Sequence, residues 1–250
     1  MKIVVIGGTG LIGSKLIALL RHRGEQVRAA SPETGIDTLT GLGLTEVLAG
    51  ARIVVDVENS PSVDDEAAMT FFETSSRHLL AAEAAAGVTH HIALSVVGTD
   101  RLQDGGYFRA KMLQETLIKA SGVPYTILRS TQFFEFVDRI ADSASDGKTV
   151  RLSPALVQPI LSDDVARALA DIVMASPVND TIEVAGPERF QLDDLVRHLL
   201  SAKHDRRHVI TDARARYFGA EIEDQSLVPD AAALIFGTRF ETWLGRASPK

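Results

Sequence analysis

Gly7-Gly8-Thr9-Gly10-Leu11-Ile12-Gly13 is the stretch on which the reading of this chain turns. Before it stands Lys2-Ile3-Val4-Val5-Ile6, an apolar, β-branched run with the length of a buried strand. After it come Leu11, Ile12, Leu16, Ile17, Leu19 and Leu20, at the spacing of an amphipathic helix. A strand, a glycine turn and a helix N-terminus in that order make a phosphate cradle. Missing side chains let backbone approach a pyrophosphate, and open N–H groups with the helix dipole hold its charge. The pattern predicts a dinucleotide site built from Gly7, Gly8, Thr9, Gly10, Leu11, Ile12 and Gly13. It can be read from Gly7 or from Gly8; both registers share Gly10 for close approach and Gly13 for helix–strand packing.

Outward from the turn, strand and helix patterns alternate. Strands are expected at 26–31, 52–57, 91–96 and 124–129, with helices at 64–86, ended by Gly87, and at 107–121. Continuous apolar strands in βαβα order predict an α/β fold with a doubly wound parallel sheet. After Thr131 the pattern loosens. A strand at 157–161, a helix at 165–175 capped by Ser162 or Asp163, a strand at 181–185, and helices at 191–202 and near 240–244 are expected. Residues 1–250 are expected to form a single domain, with a small substrate-facing lobe drawn mainly from 132–160 and 186–250.

Composition narrows the function. With 45% apolar and 24% charged residues, the 250-residue chain is ordinary for a globular protein. A formal charge of -7 argues against nucleic acid as a direct partner. No cysteine is present, which excludes disulfides, thiol catalysis and cysteine-ligated metal. His204 and His208 have i, i+4 spacing but no completing carboxylate pattern, and His90-His91 opens a strand, so no metal site is expected. No apolar run suits a signal peptide or a bilayer span. The expectation is a cytoplasmic protein with a small-molecule substrate, no membrane partner and an open oligomeric state.

Tyr107-Phe108-Arg109-Ala110-Lys111 is the second signal. Four residues apart on a helix, Tyr107 and Lys111 share a face. An ammonium beside a phenol favours phenolate, lowering a pKa that starts near 10. Such a tyrosine passes a proton to or from a substrate oxygen. Ser95, ending the fourth strand on the ligand-binding edge, is a candidate to hold that oxygen. In the loop Asp56-Val57-Glu58-Asn59-Ser60-Pro61, Asn59 is a candidate cofactor contact. Phe133, Phe134 and Phe136 are either core or the wall of an apolar pocket, and Tyr217-Phe218 could cover it.

These motifs, with Ser95-Val96-Val97-Gly98, Leu128-Arg129-Ser130-Thr131-Gln132-Phe133 and Asp163-Asp164-Val165-Ala166, resemble an atypical short-chain dehydrogenase/reductase of the NmrA-like kind. The resemblance implies a Rossmann fold, a nicotinamide cofactor, and Ser95, Tyr107 and Lys111 in catalytic positions. It further implies Lys111 on the nicotinamide ribose and Phe133 beside the nicotinamide. Ser95 and Tyr107 stand only twelve residues apart, closer than is usual in the superfamily. No acid ends the second strand, which closes Ala29-Ala30-Ser31-Pro32. An acid there would repel a 2′-phosphate. Ser31, Thr34 and the Gly35 N–H are candidate phosphate contacts, with Arg28 a weaker one, so NADP(H) is favoured over NAD(H). Hydride transfer to or from a carbonyl, quinone or alcohol is the expected chemistry. A cofactor-binding redox sensor and a nucleotide-sugar epimerase are the alternatives.

Overall fold

The computed structural model describes residues 1–62 and 64–247; the last three residues of the expected lobe lie outside it. The first strand, β1 (Lys2–Ile6), leads into α1 (Leu11–His22) and β2 (Gln26–Ala30). The short α2 (Leu44–Leu48) precedes β3 (Ile53–Asp56), the long α3 (Asp65–Ala86) and β4 (His90–Val96). Then come α4 (Gly106–Ala120), β5 (Tyr125–Ser130), α5 (Val137–Ser143), β6 (Thr149–Leu152) and β7 (Leu156–Val157). The chain continues through α6 (Ser162–Val173), β8 (Asp180–Ala185), β9 (Phe190–Gln191), α7 (Leu192–Ala202), β10 (His208–Thr211), β11 (Leu234–Ile235) and α8 (Phe240–Ala247).

Seven strands form one parallel sheet in the order β11-β8-β5-β4-β3-β1-β2. The fold is a Rossmann-type α/β fold. Every residue of β3 is buried, as are four of the five in β1, because helices cover both faces. Edge strand β2 alternates exposed and buried positions at its start. Alternation along β4 sets the two faces. Ile92 and Leu94 pack with the α1 and α6 apolar stripes, while Ala93 packs with Leu80 of α3 and Ile118 of α4. Each fully buried Leu or Ile in these layers contributes about 1.5–3 kcal/mol.

Helix ends follow local chemistry. The Asp64 side chain accepts from Ala67 N at 3.1 Å to start α3, and Gly87 at φ +71° ends it. At its start α4 crosses α3 so closely that a Cβ on Gly106 would overlap the Asp65 side chain. Strand order reverses between β1 and β3, opening a crevice at their carboxyl ends, where such folds bind ligands.

The less regular half departs from the sequence reading in three ways. The strand expected at 157–161 is only the two-residue β7, paired antiparallel with β9. Pro159 has no N–H to continue a ladder, and Ile160 instead bridges to Phe133. The sequence reading also overlooked the parallel pair β6–β10 and helix α5. Third, α6 starts at Ser162 with Leu161 at its N-cap, so Ser162 and Asp163, the expected caps, lie inside the first turn; both bond Lys15, and Ser162 also bonds Glu135. Around these pieces a second core gathers Phe134, Val137, Ile140, Val157, Leu195, Leu199 and Phe240.

Candidate active site

The glycine turn ends β1 at the reversal point. Gly7 has φ +75°, and both its N–H and that of Gly8 donate to the Ala30 carbonyl, at 2.9 and 3.3 Å. A Cβ on Gly8 would stand 2.8 Å from the Val5 carbonyl oxygen and 2.9 Å from Ala29, and one on Gly13 would overlap the Gly7 carbonyl. Both readings of the register therefore carry a physical demand: Gly7 for its dihedral, Gly8 and Gly13 for packing. No side chain caps α1, so its first-turn N–H groups stay open to an anion. Thr9, Gly10 and Leu11 are exposed on the outer side of the turn, while Ile12 is buried. This uncapped, side-chain-free cradle fits a pyrophosphate.

At the end of β2, Ser31 is buried and its Oγ has no partner among the described residues. Thr34 is occupied within its own turn: its Oγ1 accepts from Ser31 N at 2.9 Å and donates to the Ser31 carbonyl at 2.9 Å. Arg28 sits in mid-strand, paired in register with Val4, two residues short of the strand's end.

The loop after β3 lies against the turn; a Cβ on Gly7 would stand 3.0 Å from Glu58 Cα. Glu58 accepts from Thr38 Oγ1 at 2.7 Å. Burial, then Asp56 beside it, raises its pKa to about 7 despite that hydrogen bond. Asn59 is exposed at the crevice, and its Oδ1 accepts from the Tyr107 hydroxyl at 3.1 Å.

Tyr107 and Lys111 flank one ring, that of Phe72: the Tyr107 ring meets it edge-on at 6.1 Å, and Lys111 Nζ lies 4.6 Å from its centroid. Beyond this they part. Lys111 is 3% exposed and donates to the Leu94 carbonyl at 2.9 Å and to Gln114 Oε1. Gln114 Nε2 donates to Asp56 Oδ2 at 2.9 Å, closing a buried chain under the crevice. Burial lowers the Lys111 pKa to about 8, against the pull of Asp56 and Glu115. The expected lowering of the phenol pKa does not occur. Desolvation pushes Tyr107 up to about 12, opposed by its bond to Asn59 and by Arg139. The ammonium is bonded into the core rather than turned to the hydroxyl, so its charge does not stabilise phenolate.

Ser95 makes no hydrogen bond with Tyr107 or Asn59 among the described residues. Strand alternation turns it to the α4 side, where its Oγ donates to Glu115 Oε1 at 2.7 Å. Arg129 grips the same carboxylate through Nε at 2.9 Å and Nη2 at 2.8 Å, and reaches Asp100 through Nη1 at 2.8 Å. The structure thus brings Asn59 and Tyr107 together, while Ser95 and Lys111 are bonded elsewhere.

Among the aromatics, Phe134 is core, 5.3 Å from Phe240 and 5.7 Å from Trp243. Phe133 is half-buried against the α1/α6 layer. Phe136 meets Phe218 at 5.8 Å, and Tyr217 packs on Phe108 at 6.4 Å. Tyr217 and Phe218 therefore stand with Tyr107 and Phe136 on one side of the crevice. The histidines lie elsewhere. His204 is in the turn after α7 at φ +55° and His208 begins β10, so their spacing is not helical. His90 and His91 start β4, bonded to Thr126 and Glu83.

A family model described as NAD(P)H-binding matches residues 7–177, from the glycine turn through Tyr107 and α6. The chain belongs to this NAD(P)H-binding family. The chain is 25% identical over 215 residues to photosystem II assembly factor Ycf39 of Cyanophora paradoxa, covering 79% of this chain and 67% of that protein. It is 28% identical over 204 residues to a (4-alkanoyl-5-oxo-2,5-dihydrofuran-3-yl)methyl phosphate reductase of Streptomyces griseus, covering 74% and 68%. Among solved structures, dTDP-4-dehydrorhamnose reductase from Bacillus anthracis, in complex with NADP, superposes with a TM-score of 0.71 at 14% identity, covering 98% and 96%. At that identity the likeness shows the fold.

Within this NAD(P)H-binding protein, sequence reasoning passed over several polar groups. Glu58, Thr38, Asp56 and Gln114 form the floor of the crevice, yet no spacing marks them. Gln132 carried a signal, as a carboxamide directly before the Phe133-Phe134 pair at a strand's carboxyl end. Arg139 carried none. Among the described residues no helix is long and apolar enough to cross a membrane.

Proposed function

We propose that the protein is an NADPH-dependent reductase of carbonyl or quinone substrates, with Tyr107 as proton donor. The observation that carries this is the Tyr107 hydroxyl at the crevice, kept as phenol at neutral pH and oriented by Asn59 Oδ1 at 3.1 Å. Bound NADPH supplies hydride to the substrate carbon. Tyr107 then turns its phenolic proton from Asn59 Oδ1 to the substrate oxygen; its O–H bond breaks as the alcohol O–H forms, and water returns the proton to the phenolate. Asn59 orients the hydroxyl. Lys111 braces the floor through Leu94 and Gln114, and Ser95 holds Glu115 in place. A buried, unpartnered Ser31 Oγ at the end of β2, with no acid ending that strand, supports NADP(H) over NAD(H). The name of the Streptomyces relative, a reductase, agrees with this reading. A small-molecule substrate and a cytoplasmic setting go with it.

The test is NADPH oxidation over a panel of aldehydes, ketones and quinones, beside titrations with NADPH and NADH. Turnover with tighter NADPH binding supports the reading. Tight cofactor binding without turnover across the panel would instead favour a cofactor-binding sensor. That second reading is favoured by one observation: Ser95 and Lys111 are both bonded away from the crevice. An assembly factor among the relatives is in keeping with it.

A further inference from the structure

Two polar groups beside Tyr107 have no role in the chemistry above. Gln132 follows β5 directly, and its backbone is pinned, since its carbonyl accepts from Ile160 N at 2.9 Å. Its side chain is 5% exposed, and neither Oε1 nor Nε2 has a hydrogen-bond partner among the described residues. A buried polar group left unpaired costs about 1–3 kcal/mol, which a bound ligand would recover. The Gln132 carboxamide faces the Tyr217 phenol, a contact too long to count as a hydrogen bond and one that would use at most one of its hydrogen-bonding positions; Tyr217 in turn neighbours Tyr107.

Arg139 is the second group. On α5, Asp138 pairs with Lys203 and Asp142 with Arg207, both beyond the end of α7. Arg139 instead lies over Phe136, its guanidinium 5.8 Å from the ring centroid. It is exposed, makes no hydrogen bond or ion pair with any described residue, and is near enough to act on the Tyr107 phenol. Phe136 and Phe218, 5.8 Å apart, make an apolar surface beside it. A cation, an apolar surface and an unpaired carboxamide thus stand on the lobe side of the proton donor.

We infer that Arg139 and Gln132 select an anionic substrate: Arg139 binds a carboxylate or phosphate, and Gln132 hydrogen-bonds the polar groups between it and Tyr107. This rests on the reductase reading for where the reacting carbonyl lies. An unpaired guanidinium suits an oxyanion because its fork of donors matches two oxygens at once. Phe136 and Phe218 cover the apolar body of the substrate.

Calorimetric titration of the NADP⁺-loaded protein with benzoate, phenyl phosphate and benzamide tests this without requiring turnover. At least one anion is expected to bind about tenfold or more tightly than the amide, the loss expected for a charge-assisted bond. Benzoate and phenyl phosphate separately report which oxyanion is preferred. Arg139→Met is expected to remove the difference and Arg139→Lys to restore part of it. Gln132→Met is expected to weaken all three ligands. Equal affinity for anions and amide, no binding of either anion, or an unchanged anion affinity in Arg139→Met overturns the inference. The wild-type comparison decides the matter even if a variant does not fold. Anion binding through Arg139 without reduction of any carbonyl would overturn the reductase reading alone. Carbonyl reduction with no preference for charge would overturn this one alone.

Discussion

The Tyr107 hydroxyl donates to Asn59 Oδ1 at 3.1 Å, joining the start of α4 to the loop after β3. Forty-eight residues separate them in sequence. The bond aims the phenol at the carboxyl edge of the sheet, where the glycine cradle also opens. Tyr107→Phe should lower turnover about 100-fold or more. NADPH affinity, read by fluorescence titration, should stay within about threefold, because the pyrophosphate cradle does not involve the phenol. Asn59→Ala should lower turnover less than Tyr107→Phe, since the proton remains and only its aim is lost. Full turnover in Tyr107→Phe would remove the proton-donor role.

Ser95 lies in the Glu115–Arg129 network, so its loss should be read in stability and not in rate. Ser95→Ala should cost about 1 kcal/mol in a denaturant titration and leave turnover within a few-fold. Arg129→Met leaves the buried Glu115 carboxylate without its guanidinium and should cost about 3–5 kcal/mol. A Ser95→Ala enzyme that folds normally but turns over hundreds-fold more slowly would show that Ser95 moves to the substrate.

Gly13→Ala places a methyl group against the Gly7 carbonyl. The helix must draw away from the turn, at about 1–3 kcal/mol of overpacking. A lower Tm and a weakened NADPH titration should appear together. A normal Tm with unchanged cofactor affinity would mean that the cradle is not as tight as the backbone shows.

Glu58 supplies a pH dependence. Its folded-state pKa, near 7, lies above the ordinary 4.5. Between those values the folded state holds more protons than the unfolded one, so this group's contribution to stability declines as pH rises from 4.5 through about 7. The Glu58 backbone lies against Gly7, and its ionised carboxylate, held by Thr38, is expected to repel cofactor phosphate through the crevice. NADPH affinity should therefore fall as pH rises through neutrality, and Glu58→Gln should flatten that profile. The same slope in Glu58→Gln would assign it to another group.

Much of the fold could be read locally. The buried β1, the helix at 11–22 and the Gly87 stop of α3 follow from apolar spacing and backbone preference, which neighbouring residues set among themselves. The segments after Thr131 were less legible. Short pairings such as β6 with β10 join strands some sixty residues apart, and neither strand has enough apolar period to announce itself. Tyr107 and Asn59 were both singled out as candidates from sequence, but their bond was not, because it depends on how α4 crosses the loop after β3.

By itself the sequence determined the dinucleotide-binding class, since the dihedral of Gly7 and the contact of Gly13 with the Gly7 carbonyl are set within one turn; Gly8 answers as well to Ala29 on the neighbouring strand. Only the tertiary structure decided where the side chains of the expected catalytic set point. Alternation along β4 puts neighbouring residues on opposite faces, but which face meets α4 depends on how the layers stack. That stacking turned Ser95 to Glu115 and drew Lys111 to the Leu94 carbonyl. Burial then raised the Tyr107 pKa instead of lowering it, because charge acts on a phenol through distance and solvent in the folded protein, not through spacing along a helix.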